Sequence, residues 1–431
     1  MSRAILWFRN DQRLADNTAL TAALAAHDEV LPVLIIDPSQ HGPSPFGFER
    51  SGSFRRRFIH EGVLDLATAL RAKGSALSVR VGDPTSTLLQ VGKLWKADVV
   101  HAQRLYGWEE QLQERAVAAE LDLRLHAPNT LLLPGDLPFA VEDLPHVFTA
   151  FRTKVEKSSP IREVLPEPDK IPSPHYWGER LLAREDLPFV PYPSDPRGAT
   201  VFRGGRDAGL ARLKHYLWDT NALSTYKETR NGLLGADYSS KFSPWLASGA
   251  LSAREIHHEV KRYEEEHGAN ESTYWLYFEL LWRDFFQFTA MKHGADFFKR
   301  GGIGRKEFRG DQDREKFATW CEGRTGQAFI DANMRELAAT GWMSNRGRQN
   351  VASYLVNDLE LDWRMGAYWF ERMLIDYDPC SNWGNWQYLA GVGNDPREGR
   401  RFDPVRQANT YDADGDYVER WSAGLPDPDR S

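Results

Sequence analysis

Four segments of this 431-residue chain gather side chains that could do chemistry. The densest is Asp376-Tyr-Asp-Pro-Cys-Ser-Asn-Trp-Gly-Asn-Trp-Gln-Tyr388. Its carboxylates Asp376 and Asp378, with the amide of Asn382, suit recognition of a polar heterocycle; a turn capped by its own Asx side chains would use the same residues. A metal is the rival idea, but the segment holds no histidine and its acids lack the spacing of a calcium loop. Tyr238-Ser-Ser-Lys-Phe-Ser-Pro-Trp245 offers the hydroxyls of Ser239, Ser240 and Ser243 beside Lys241 and Phe242 at a predicted helix start. Backbone N–H groups at such a start suit a phosphate; alternatively the serines merely cap the helix. Glu279 and Arg283 share one helix face, either as a mutual ion pair or, with Trp282 beside them, as a surface for a nucleobase. Gly341-Trp-Met-Ser-Asn-Arg-Gly-Arg-Gln349 groups Asn345, Arg346 and Arg348 for phosphates, a heterocycle or structural carboxylates. The basic clusters Lys299/Arg300/Arg305/Lys306/Arg309 and Arg397/Arg400/Arg401/Arg406 could track a nucleic-acid backbone or form solvated faces.

The elements that must position these residues fall into two halves. Over residues 1–130, β-branched apolar runs at Ala4–Phe8, Val30–Ile36, Ala76–Val81, Asp98–His101 and Leu121–His126 alternate with helical stretches such as Asn17–Ala26 and Arg50–Lys73. That alternation predicts an α/β domain, a parallel sheet flanked by helices, with ligands beyond the carboxyl ends of its strands. No Gly-x-Gly-x-x-Gly follows the first strand, so a dinucleotide site of that type is unsupported. Residues 131–200 read as an interdomain linker wrapping the surface, because prolines crowd the stretch from Pro160 to Pro196. Residues 201–431 read as an all-α domain. There Ser243-Pro244 is an N-cap followed by Pro at the first helical position, and Ser252-Ala-Arg-Glu255 is a capping box. Tyr274–Phe288 is apolar nearly all round and therefore buried, so Glu279, Arg283 and Asp284 need partners or a ligand.

Composition excludes several classes. With 41% apolar and 27% charged residues the chain is globular, and two cysteines cannot build a disulfide scaffold or a four-cysteine zinc site. No apolar run approaches a membrane span, and the N-terminus enters a strand without a signal-peptide core. These features predict a soluble, cytoplasmic, monomeric protein. A net charge of −7 requires any nucleic-acid partner to meet a local basic patch. Of the 15 tryptophans, 11 follow residue 200, which hints that the second half has a different task.

Taken in order, these segments resemble the photolyase/cryptochrome family, over nearly the whole chain from Leu6-Trp-Phe-Arg-Asn-Asp-Gln-Arg-Leu14 to Trp421. Within it the chain is most similar to the cryptochrome DASH branch, through Tyr226-Lys-Glu-Thr-Arg-Asn-Gly232, Ser344-Asn-Arg-Gly-Arg-Gln-Asn350, Asp376-Tyr-Asp-Pro-Cys-Ser-Asn382 and Gly391-Val-Gly-Asn-Asp-Pro-Arg-Glu398. The resemblance implies FAD, folded in a U inside the helical domain and held by Tyr226, Ser239–Ser243 (with Lys241 and Phe242), Arg283, Arg348, Asp376, Asp378 and Asn382. Arg348 is then the salt-bridge partner of Asp376, and Asn382 faces flavin N5 without adding a negative charge. The implied activity is light-driven splitting of cyclobutane pyrimidine dimers, with Glu279, Trp282 and Asn345 in the lesion pocket and Arg346, Gln349, Tyr388, Arg400 and Arg401 on the DNA side.

Flipping a lesion out of a duplex costs unstacking and unpairing energy. Full photolyases carry Met and Trp where this chain has Gln349 and Tyr388, so a more polar pocket implies a preference for single-stranded DNA. The alternative is a non-catalytic blue-light receptor. The resemblance also implies a folate antenna, 5,10-methenyltetrahydrofolate, contacted at Glu109-Glu110; against it, Phe148-Thr-Ala-Phe-Arg152 has Ala150 in place of a folate-binding glutamine, and His101-Ala-Gln-Arg104 is atypical. Trp386 and Trp363 match the tryptophans that photoreduce the flavin. Phe308 falls where the third donor is expected, and Trp320 is a substitute whose family counterpart is structural. Blue light with an external reductant should therefore reduce the flavin, Trp386→Phe should slow this sharply, and Phe308→Trp should speed it, as followed by flavin absorbance.

Overall fold

The computed structural model describes residues 1–173, 195–395 and 400–422. Five strands, β1 (Arg3–Phe8), β2 (Glu29–Ile36), β3 (Ser78–Val81), β4 (Val99–Gln103) and β5 (Asp122–His126), form one sheet in the order β3-β2-β1-β4-β5. All four pairings are parallel, with Leu6 opposite both Pro32 and His101. The central strand β1 is apolar from Ala4 to Phe8 because helices cover both faces of the sheet. Its alternate residues feed two separate cores. Leu6 and Phe8 join Leu20, Leu66 and Leu70 on one side, while Ile5 and Trp7 join Leu88, Val91 and Trp95 on the other. The chain leaves β1 toward β2 and later returns to its other side at β4, so the switch in strand order lies at their carboxyl ends. His101, in the middle of β4, lies between His27 and His126, with ring nitrogens 3.2 and 2.9 Å apart. Burial lowers His101 to about 4, so it sits in the sheet uncharged.

The stretch 131–200 does more than wrap the surface. It carries a helix, Phe148–Ser158, whose Phe148, Phe151 and Val155 are buried in the same core as Leu280, Phe285 and Trp386. Proline crowding hides this because the helix ends before the prolines begin. Leu131 and Leu132 also enter that core, and their backbone N–H groups donate to Asp284 Oδ1 and Oδ2 at 3.0 and 2.8 Å. Residues 174–194 lie outside the described residues.

The helical half is arranged around Glu271–His293, a helix of 23 residues opened by Asn270 as cap. Its apolar character all round matches its position, since other helices cover it from several sides. The capping box at Ser252 forms as its sequence predicts, with Ser252 Oγ accepting from the Glu255 N–H at 2.9 Å. Ser243 behaves differently. It is the first residue of a short helix, Ser243–Ser248, and its hydroxyl donates to Asp376 instead of capping.

The loop after β1 docks the two halves together. Arg254 donates to Asp16 Oδ2 and Oδ1 at 3.0 and 2.8 Å, both side chains being out of solvent. Arg13 reaches across to the Gly249 carbonyl at 2.8 Å. Gly249 has φ +72°, and a Cβ there would fall 2.0 Å from the Asn10 carbonyl oxygen, so the approach requires glycine. Removing one partner from a buried ion pair leaves an uncompensated charge. Arg254→Met should therefore lower the unfolding free energy by about 3–5 kcal/mol. The double variant Asp16→Asn/Arg254→Met, which removes the stranded charge while asparagine tolerates the left-handed φ of residue 16, should recover part of it; denaturant unfolding measures both.

Candidate functional site

Helices Ser243–Ser248, Glu271–His293, Asn345–Asn357, Trp363–Met373 and Pro379–Leu389 surround two adjoining cavities of about 420 and 250 Å³. Arg230, Ser243, Glu279, Arg283, Arg348 and Asp376 line both. Asp376 is the junction. Its Oδ2 accepts from Arg348 Nη2 at 2.9 Å and from Ser243 Oγ at 2.7 Å, while its buried Oδ1 has no partner among the described residues. A buried acceptor left open in this way calls for a donor from a ligand. Asp378 is the N-cap of Pro379–Leu389, accepting from the Ser381 N–H at 2.6 Å, and its other oxygen accepts from Gln287 Nε2 at 3.0 Å. Of the two carboxylates, Asp378 is thus the Asx cap and Asp376 the one with spare capacity. Asn382 lies on the wall of the larger cavity, its amide N–H donating to the Ala367 carbonyl at 3.0 Å.

The smaller cavity holds Tyr226, Ser239, Ser240, Lys241, Phe242 and Ser243 together, as the sequence expects. Burial raises the Tyr226 phenol, which therefore remains a hydrogen-bond donor. Lys241 is less available: its ammonium nitrogen sits 3.2 Å from the centre of the Tyr238 ring, and burial lowers it to about 6. The carbonyls of Ser239 and Ser240 are held by Arg212.

Glu279 and Arg283 do not pair with each other. Glu279 pairs with Arg230, while Arg283 donates to the carbonyls of Asn129 and Leu246. Burial raises the Glu279 carboxyl and the Arg230 guanidinium opposes that rise. Trp282 stacks on Phe148 with centroids 3.7 Å apart and meets Tyr388 edge-on at 6.0 Å. Asn345 and Gln349 complete the wall, and Arg400 lies over the Tyr388 ring at 4.9 Å.

Two expected DNA-side residues do not line the larger cavity. Arg346 donates to Gln349 and Asn231 and covers the Tyr411 ring, and Arg401 is paired with Asp358. Arg397 lies outside the described residues. Spacing alone did not find Arg230 or Phe148. Arg230 sits inside the Tyr226–Gly232 motif without an assigned role, and Phe148 opens the segment that the resemblance assigns to the antenna.

A further cavity, of about 220 Å³, opens between the halves near the carboxyl ends of β1 and β2. Glu109 and Glu110 line it with Trp108, Tyr368 and Trp383, whereas Phe148–Arg152 do not. Arg50 bridges Glu109 and Glu371 at 2.7 and 2.8 Å. Burial raises Glu110 to about 7.

Family models for DNA photolyase and for the FAD binding domain of DNA photolyase match residues 4–173 and 275–429. Cryptochrome DASH of Gloeobacter violaceus is 48% identical, covering 98% of this chain and 86% of that protein. Its Synechocystis counterpart is 46% identical, covering 97% and 86%. A crystal structure of a Synechocystis cryptochrome superposes with a TM-score of 0.93 at 45% identity, covering 98% of this chain and 88% of that one. A class III photolyase from Agrobacterium tumefaciens superposes at 0.85 with 29% identity, covering 98% and 86%. The chain belongs to the photolyase/cryptochrome family, as a flavoprotein of its cryptochrome DASH branch.

The residues present fit FAD: two adjoining cavities suit a folded dinucleotide, and the open Oδ1 of Asp376 suits a ligand N–H or O–H. No helix among the described residues is long and apolar enough to cross a membrane. Arg348→Met strips Asp376 of its charged partner at the junction of both cavities. The expected cost of about 1–3 kcal/mol weakens FAD binding roughly ten- to a hundredfold, read from the flavin-to-protein absorbance ratio after dilution.

Proposed function

We propose that this protein is a blue-light-driven lyase that splits cyclobutane pyrimidine dimers in single-stranded DNA, acting as a cytoplasmic monomer. The observation that carries the reading is the joined wall of the larger cavity. Glu279, Trp282, Asn345, Gln349 and Tyr388 stand on the same cavity as Asn382, Asp376 and Trp386, so a base admitted there lies against the cofactor's place. Bound there in its reduced form, FAD would supply the light-driven one-electron chemistry that splitting the dimer needs.

The chain's residues do the rest. Glu279, oriented by Arg230, accepts from or donates to a pyrimidine edge. Trp282, fixed in rotation by Phe148 behind it, offers its free side to a base, and Tyr388 forms the corner. Asn382 is held by the Ala367 carbonyl, so its orientation is set before any ligand arrives. Arg400, over Tyr388, brings positive charge to the mouth, where a phosphate of the strand would pass. The folate antenna belongs to the same reading, at the interdomain cavity, where Glu109 and Glu110 stand beside flat aromatic walls.

Gln349 and Tyr388 make the wall more polar than Met and Trp would, so an extrahelical lesion gains less apolar contact against a cost of a few kcal/mol for unstacking and unpairing. Repair of a dimer in duplex should therefore lag repair in single strand by about one to three orders of magnitude at matched salt. Gln349→Met/Tyr388→Trp should narrow that gap. The measurement is dimer loss per unit light in single strand, loop and duplex. Equal repair of strand and duplex by the wild type would refute the preference.

A further inference from the structure

Trp386 and Trp363 are both buried, so an electron supplied from solution must enter through another side chain. Trp386 lies against the helix that Trp363 begins. A Cβ on Gly366, one turn beyond Trp363, would fall 2.1 Å from the Trp386 indole, so the close approach exists because residue 366 is glycine. Beyond Trp363, the half-buried aromatic at the expected exit is Phe308, a benzene ring that a tryptophan radical cannot oxidise. Trp320 also touches Trp386, at 6.4 Å, but it is wholly buried, and its other ring contacts are Phe317 and Phe370.

A second line of rings leaves Trp363. Its indole meets Trp383 edge-on, with centroids 5.3 Å apart at 80°, and Trp383 meets Tyr368 at 5.2 Å and 88°. Every member of this line is an oxidisable ring in contact with the next. Trp383 and Tyr368 both stand on the wall of the interdomain cavity, and Tyr368 is half-buried, with the Arg50 guanidinium 6.0 Å from its ring centre.

We propose that Trp383 and Tyr368 form the electron entry to the flavin site, so that, when no antenna fills the interdomain cavity, small thiols reduce the protein from that cavity and not from the Phe308 face. The inference rests on the FAD reading of the larger cavity. For each electron that light moves from Trp386 onto FAD, the vacancy passes to Trp363, then Trp383, then Tyr368. Tyr368 gives up one electron and loses its phenolic proton to solvent in the cavity. A thiol then returns one electron and one proton to Tyr368. Two turns deliver two electrons to FAD and convert two thiols into one disulfide and two released protons. Tunnelling falls off steeply with gap, so a chain of touching rings outruns a route interrupted by phenylalanine.

The test illuminates the purified protein with a small thiol and follows flavin bleaching, alongside electron paramagnetic resonance of the trapped radical with ring-deuterated tyrosine. Expected are a radical whose signal narrows on deuteration, a loss of photoreduction rate of about tenfold or more in Trp383→Phe, and recovery when Phe308→Trp is added to that variant. Tyr368→Phe, which removes one half-buried hydroxyl and keeps the packing, should abolish the deuteration-sensitive signal and slow thiol-driven reduction while the initial light-induced absorbance change persists. Unchanged kinetics in both variants, or a radical insensitive to tyrosine deuteration, overturns the proposal alone. Protein that holds no flavin before illumination overturns the FAD reading and this proposal together.

Discussion

The carboxylate of Asp376 joins parts of the chain that are far apart in sequence. One oxygen takes a guanidinium from helix Asn345–Asn357 and a hydroxyl from the short helix at Ser243, while Asp376 itself leads into the helix that carries Asn382 and Trp386. A carboxylate at 7% exposure is costly unless its oxygens are satisfied, so placing Asp376 inside requires those two donors and, with them, the elements that line both cavities. The second oxygen has no partner among the described residues. Folding therefore leaves one strong acceptor for a ligand to complete, and a ligand that donates to it stabilises the folded state by mass action. Binding and stability are linked at this one atom.

The same device recurs at the seam between the halves. Asp284 lies in the middle of the central helix and accepts two backbone N–H groups from the irregular stretch at Leu131-Leu132; burial raises its carboxyl to about 7 despite those bonds. Asp16, on the loop after β1, accepts both arms of Arg254. Each of these acids binds an irregular segment to a helix it would otherwise only touch through apolar contact, which has no directional preference. The sheet is thereby held at a fixed place on the helical half. One consequence is that the interdomain cavity and the larger flavin cavity share a wall formed by Ala247 and Tyr377.

The aromatic residues of the helical half fall into two separable groups. Trp282, Phe148 and Tyr388 build one corner at the mouth of the larger cavity, where a flat ligand gains from stacking and edge contacts. Trp363, Trp383 and Tyr368 form a second group in edge-on contact, two of them on the wall of the interdomain cavity. The skew of tryptophans toward the second half thus supplies rings both to the wall of the larger cavity and to the wall of the interdomain cavity.

The sequence by itself determined the elements. Five apolar runs became five strands within a few residues of their expected ends, Ser252 capped the helix it precedes, and the helix that is apolar all round became the buried axis, because these features rest on local periodicity and capping chemistry. The ordered motifs fixed the family for the same reason: they are linear strings. What only the tertiary structure decided is which polar groups meet. Glu279 chose Arg230, 49 positions away, over Arg283 on its own helix face; Ser243 turned from capping to Asp376; Arg346 and Arg401 were taken by neighbours; and Phe148 moved from the antenna to the back of Trp282. A buried charge pairs with whichever partner the packing brings within bonding distance, and that proximity is a property of how helices cross, which no spacing along the chain encodes.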